Sequence, residues 1–195
     1  MGSLFTVVLG AGLSKRFGSP KLDVQCAGRA VGSWVLQAVS AAGLPPGGVV
    51  VGPKAPLFLN EWPSWLRLQN RAPEAGLASS LAIAAQYAAA QGSETMLVML
   101  ADMPLLDPRF LRKLLAASAP AATVQCDGRP GVPALLPRAM YPALFNLKGD
   151  RGAGKLLAQQ PELACVEAPA GMLMDIDQPE DLARAELTLS SRSSN

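Results

Sequence analysis

The 195-residue chain contains no histidine. That removes imidazole as a general base, a general acid or a metal ligand, wherever the functional site lies. Cysteine is scarce, with only Cys26, Cys126 and Cys165, odd in number and far apart. A Cys/His zinc site and a disulfide framework are thereby disfavoured, a reducing cytoplasm is the expected setting, and the three thiols read as small buried hydrophobes. Charge is thin as well: charged residues are 16 % of the chain, the net charge is +2, and the 17 Lys and Arg are dispersed. Neither a nucleic acid nor an anionic membrane is indicated as a partner. No apolar run approaches the roughly 18 residues of a membrane helix. The first residues lead straight into a glycine loop, without the basic flank or cleavage site of a signal peptide.

What is present is an alternation of short β-branched or aliphatic runs with longer helical patterns, the mark of βα units around a mostly parallel sheet. Strands are expected at 4–9, 48–52, 65–69 and 95–101, and helices at 30–42, 77–90 and, after Asp107 and Pro108, 109–118. The run TMLVMLA at 95–101 is apolar throughout, as a central strand covered on both faces must be. Strands at 121–126 and 131–136, joined by the turn DGRP, break the alternation and predict a small antiparallel excursion. A short helix in 149–160, extended segments LACVEA and GMLMDI, and a final helix from 178 complete the pattern. Length and composition suit one domain over residues 1–189, with 190–195 as a frayed polar tail.

Three stretches carry chemistry. In VVLGAGLSKRFGSPK, residues 7–21, a strand ends in Gly10-Ala11-Gly12, which lets the backbone turn and offers N–H groups to phosphate oxygens. The spacing is wrong for two familiar phosphate motifs. A dinucleotide fingerprint needs a glycine where Lys15 stands, and no Gly-Lys-Ser/Thr triplet closes a P-loop. Distinctive in the loop are two cations five residues apart, Arg16 and Lys21, suited to a triphosphate as a bidentate fork and a mobile point charge, or else simply solvated. Asp102 follows the central strand, where open α/β sheets bind ligands; it is either a Mg²⁺ ligand or a turn cap. Asp175 and Asp177 lie two apart, and on an extended segment both would face one way. Asp177 is then a second carboxylate for the metal or the N-cap of the last helix. Asp107, before Pro108, reads as an N-cap.

Taken in order, GAGLSKRFG with Lys21, GLASSL (76–81), LADMP (100–104), GVP (131–133), GDRGA (149–153) and DIDQPEDL (175–182) resemble the successive motifs of the MobA-like nucleotidyltransferases over essentially the whole chain. GLASSL, GVP and GDRGA are more similar to the molybdenum-cofactor cytidylyltransferase branch than to the guanylyltransferase branch. The resemblance implies a three-layer α/β/α sandwich of the nucleotide-diphospho-sugar transferase (glycosyltransferase-A-like) fold. It implies an NTP, CTP or GTP, bound by Leu9, Gly10, Ala11, Gly12, Arg16, Lys21, Asn70, Gly76, Ser79 and Ser80. Mg²⁺ would sit on Asp102 and Asp177, with Arg16, Lys21 and Asp102 as the catalytic residues. A molybdopterin-type phosphorylated acceptor would meet Pro133, Gly149, Asp150, Gly152 and Ala153, and a molybdoenzyme would receive the product. Guanylyl transfer, sugar-phosphate nucleotidyl transfer and a non-catalytic cofactor-binding chaperone are the alternatives. A phosphate monoester has its second pKa near 6 and is already ionised at neutral pH, so a chain without histidine can still use one as nucleophile.

Overall fold

The computed structural model describes residues 2–14, 17–125 and 127–193. A seven-stranded sheet runs through the molecule in the order β5-β4-β1-β6-β8-β7-β9. Its strands are β1 (Leu4–Leu9), β4 (Gly48–Val51), β5 (Leu66–Gln69), β6 (Thr95–Leu100), β7 (Ala121–Val124), β8 (Pro130–Pro137) and β9 (Ala164–Glu167), while β2 (Gln25–Cys26) and β3 (Arg29–Ala30) form a separate hairpin. The pairs β1–β4, β1–β6, β4–β5 and β7–β9 are parallel; β8 runs antiparallel to both β6 and β7. The antiparallel excursion read from DGRP is therefore present. Its turn is closed by the Gln125 N–H donating to the Arg129 carbonyl at 2.8 Å, with Gly128 at φ +76°.

The helices are α1 (Val31–Ala41), α2 (Leu77–Ala90), α3 (Pro108–Leu115), α4 (Tyr141–Phe145), α5 (Gly154–Leu157) and α6 (Pro179–Ser193). Alternate strand residues assign them to two faces, as the period of two requires. Val8, Val49, Val51, Leu97 and Met99 point into a core shared with α1, α3 and α6. Val7, Leu9, Val50, Met96 and Val98 point into one shared with α2, α4 and α5. Residues 96–99 of β6 are wholly buried, which is why that stretch carries no polar residue. Each such Leu or Met contributes about 1.5–3 kcal/mol of burial free energy. The architecture is thus a three-layer α/β/α sandwich on a mostly parallel sheet.

Some expectations change. GMLMDI does not form a strand: Gly171, at φ +75°, opens a turn closed by the Met174 N–H donating to the Gly171 carbonyl at 3.2 Å. Its buried side chains, Met172 and Ile176, stand four apart and not two, so alternation never sets in. Helix α6 continues to Ser193 through residues expected to fray. Asp107 caps α3 as expected, accepting the Arg109 N–H at 2.6 Å. Cys26 is buried, with burial first and then Glu186 raising its thiol pKa to about 11, whereas Cys165 is exposed because β9 ends the sheet. Cys126 lies outside the described residues. No helix among them is long and apolar enough to cross a membrane.

Candidate active site

From the carboxyl end of β1 the chain goes to β4 on one side, while β6 lies on the other. Strand order reverses there, and open α/β sheets leave a ligand crevice at such a point. The backbone extends the sheet by one residue at this end. Gly10 N–H donates to the Val50 carbonyl at 2.8 Å and Ala101 N–H to the Leu9 carbonyl at 3.0 Å. Gly10's own N–H is therefore committed to β4, and any nest for phosphate begins beyond it. A Cβ on Gly12 would meet nothing within 4 Å, so the loop is open there to a ligand.

Lys21 sits in a 3₁₀ turn, Lys21–Asp23, and is only 8 % exposed. Its ammonium donates to Asp102 Oδ2 at 2.7 Å and to Asp177 Oδ1 at 3.1 Å. Burial pulls the Lys21 pKa down, but Asp102 first and then Asp177 outweigh it, and the group stands above the ordinary lysine value. It is a fixed positive charge at neutral pH. Asp102 follows β6 directly, and its carbonyl accepts the Ile176 N–H at 2.9 Å, which brings the segment carrying Asp177 alongside. Asp181 caps α6 from inside the helix, its Oδ2 accepting the N–H groups of Gln178 at 2.9 Å and Asp177 at 3.0 Å, the backward half of a capping box. The Asp177 carboxylate faces Lys21 in the cleft. Asp175 is exposed and does not line the cleft.

A second cluster forms one wall. Asn70, buried at the end of β5, donates through Nδ2 to Ser79 Oγ at 2.8 Å and Ser80 Oγ at 3.0 Å, while its Oδ1 accepts the Ala72 N–H at 3.0 Å. Ser79 Oγ in turn donates to the Gly76 carbonyl at 2.8 Å. Gly76 is required on two counts: its φ is +87°, and a Cβ would lie 2.5 Å from the Gly149 carbonyl oxygen and 2.6 Å from Asp150 Oδ1. The Ala78 N–H donates to that Gly149 carbonyl at 3.0 Å. The GDRGA segment is thus docked on the first turn of α2, so residues expected on the acceptor side touch residues expected on the nucleotide side. Gly152 faces Leu77, where a Cβ would stand 3.2 Å from Cδ2.

These elements enclose a cleft of about 460 Å³, within the usual range for a small-molecule site. Leu9, Gly10, Ala11, Gly12, Lys21, Gly76, Ser80, Asp102, Asp150 and Asp177 line it. Asn70, Ser79, Gly149, Gly152 and Ala153 do not line it. Pro133 is buried within β8, its carbonyl accepting the Thr123 hydroxyl at 2.7 Å, and does not line the cleft. Arg16 lies outside the described residues. Sequence reasoning did not single out Ser14, Phe17, Pro73 and Glu74, which also line the cleft. Their only signal was adjacency to the glycine-containing loops.

The donor set fits a hard divalent cation. Asp102 Oδ1 is shut off from solvent and has no hydrogen-bond partner, an arrangement that calls for a ligand. Among the described residues no group of three or more His, Cys, Asp or Glu could hold a metal. One or two carboxylates completed by substrate phosphates is how Mg²⁺ is commonly bound.

A glycine loop, a buried lysine and two acids at a topological switch point define a nucleotide-handling α/β enzyme. The model of the MobA-like NTP transferase domain matches residues 6–164. The chain belongs to that family and is a nucleotidyltransferase. It is 31 % identical to the purine catabolism protein PucB of Bacillus subtilis, over 91 % of this chain and 93 % of PucB. Among solved structures it is similar to a nucleotidyl transferase from Methanothermobacter (TM-score 0.81, 22 % identity, covering 97 % of this chain and 99 % of that one). It is likewise similar to Rv0371c of Mycobacterium tuberculosis (TM-score 0.80, 24 % identity, 95 % and 98 %). The fold is that of the nucleotide-diphospho-sugar transferases.

Proposed function

We propose that the protein moves a nucleoside monophosphate from an NTP, CTP by preference, to the phosphate of a molybdopterin-type acceptor, releasing pyrophosphate. The observation that carries this reading is the buried Lys21 ammonium held against Asp102 and Asp177 at 2.7 and 3.1 Å on the floor of the glycine-loop cleft. Asp102 and Asp177 would hold Mg²⁺; a crystal structure of Rv0371c in complex with manganese supports a divalent ion in this fold. The CTP and molybdopterin assignments rest on the likeness of GLASSL, GVP and GDRGA to the cytidylyltransferase branch. The name of the PucB relative supplies a pathway and not a reaction. On this reading the product passes to a molybdoenzyme in the cytoplasm.

When bound, the divalent ion neutralises charge on the α-phosphate and on the departing pyrophosphate. The chain's own residues do the rest. The loop from Ala11 and the positive end of α2, where Gly76, Leu77 and Ser80 line the cleft, are placed to receive an anionic nucleotide. Lys21 supplies a permanent positive charge to the phosphates, joined by Arg16 on the same loop. An oxygen of the acceptor phosphate attacks the α-phosphorus in line, and the bond from that phosphorus to pyrophosphate breaks. The nucleophile is already ionised near neutrality, so positioning and charge neutralisation suffice without a histidine base.

Pyrophosphate release, followed with each of the four NTPs, Mg²⁺ and molybdopterin, tests the reading. The expected result is release that requires CTP, the cation and molybdopterin together. Release with GTP in place of CTP would replace the base assignment, and a sugar phosphate that substitutes for molybdopterin would replace the acceptor. Molybdopterin binding without turnover of any NTP would overturn the enzyme reading in favour of a cofactor-binding chaperone.

A further inference from the structure

We propose that Lys21 is a built-in placeholder for the metal: in the nucleotide-free protein its ammonium holds the two carboxylates and keeps free divalent cations out, and the triphosphate draws it away so that metal and nucleotide enter together. This rests on the metal reading above. Lys21 reaches Asp102 Oδ2 at 2.7 Å and Asp177 Oδ1 at 3.1 Å. A Mg²⁺ ion bound to those oxygens would stand about 2.0–2.1 Å from each, inside the space the ammonium takes up. Both charges are positive, and Lys21 and Asp102 are held mostly away from water, so the two occupants exclude one another. Of the two remaining carboxylate oxygens, that of Asp102, Oδ1, is closed to solvent, so a hydrated ion reaches both acids only after Lys21 or the Asp102 carboxylate moves.

The arrangement also supplies the agent of release. Lys21 lies in the same cleft as Gly12, Ser14 and the α2 entry, the elements that face an incoming phosphate chain. Phosphate oxygens compete for the ammonium with full negative charge. Once it has turned to them, Asp102 and Asp177 lose its countercharge, and a divalent cation replaces it. Nucleotide and metal then favour each other's binding by the same factor, as linkage requires. The device keeps two adjacent acids neutralised in the resting protein and withholds the metal until there is a phosphate to activate.

Mn²⁺ binding to the full chain, read from the electron paramagnetic resonance signal of free Mn²⁺, tests this. Wild-type protein alone is expected to bind Mn²⁺ weakly, and with α,β-methylene CTP at least about tenfold more tightly, the middle of the usual coupling range. Lys21→Met without nucleotide is expected to gain about as much, since it keeps the stem but not the charge, whereas Lys21→Arg stays weak. Equal Mn²⁺ affinity of the wild type with and without the analogue overturns the placeholder, and this arm needs no variant to fold. A folded Lys21→Met protein that binds Mn²⁺ no better than wild type also overturns it while leaving the metal reading intact. No Mn²⁺ uptake by the wild type even with the analogue overturns the metal reading, and the placeholder with it.

Discussion

The cleft is bounded by two polar clusters assembled on opposite terms. In the Asn70–Ser79–Ser80 cluster every group is neutral, and the bonds run on into the backbone: both serine hydroxyls accept a hydrogen bond from Asn70 Nδ2, Asn70 Oδ1 accepts the Ala72 N–H, and Ser79 donates onward to the Gly76 carbonyl. In the Lys21–Asp102–Asp177 cluster every group is charged, both acids accept from Lys21, and Asp102 Oδ1 is buried without a partner. A neutral network whose buried groups are paired holds a shape, because rearrangement strands a buried donor or acceptor. A charged network with an unfilled acceptor is prepared to change partners. On the function proposed above, the first cluster is the wall that sets where a nucleotide lies, and the second the place where chemistry happens.

Substitutions can break or sharpen that contrast. Asp102→Ala should act on turnover above all, lowering kcat by about 10³-fold or more while circular dichroism shows an intact fold. A variant that keeps most of its activity would remove Asp102 from the chemistry. Gly76→Ala should act on stability first. The positive φ and the collision with the Gly149 carbonyl together cost about 3 kcal/mol, seen as a lowered denaturation midpoint, with the GDRGA segment pushed off α2. Asn70→Ala should cost about 2 kcal/mol and raise the nucleotide KM while leaving kcat within a few-fold. Were kcat to collapse as in Asp102→Ala, the division into wall and reaction centre would be wrong.

Asp181→Ala should be the mildest, about 1 kcal/mol at neutral pH. Burial would lift the Asp181 carboxyl, but the amides of Gln178 and Asp177, together with Arg184, outweigh it and hold the pKa below the ordinary value. A carboxyl whose pKa is lower folded than unfolded stabilises above its unfolded value and loses that contribution as pH falls through the folded one. The difference between wild type and Asp181→Ala should therefore be full at pH 7 and vanish in acid, measured as denaturation midpoints across pH. Because Asp181 also anchors the Asp177 N–H, a small rise in the requirement for metal should accompany it.

Much of this was legible in the residues. Local patterning marked β1, β6, α2 and the β7–β8 hairpin, because period and turn chemistry act over a few neighbours, and Asp107 announced its cap through the following proline. The loop from Gly10 to Lys21 and the acid after β6 were conspicuous for the same reason. GMLMDI misled because an apolar run beside acids looks extended unless the burial spacing is known. That Asp181 closes the start of α6 is a pairing that only the finished helix end decides.

By itself, then, the sequence determined the absence of any imidazole chemistry, the alternating α/β order, and the identity of the lysine and acids on which the site is built. Only the tertiary structure decided that Lys21 stands between Asp102 and Asp177, which are 75 residues apart in the chain, that Asn70 serves the wall from behind, and that GDRGA rests on the first turn of α2. Such pairings are set by strand order and by the Ile176–Asp102 backbone bond, long-range contacts that no local pattern encodes.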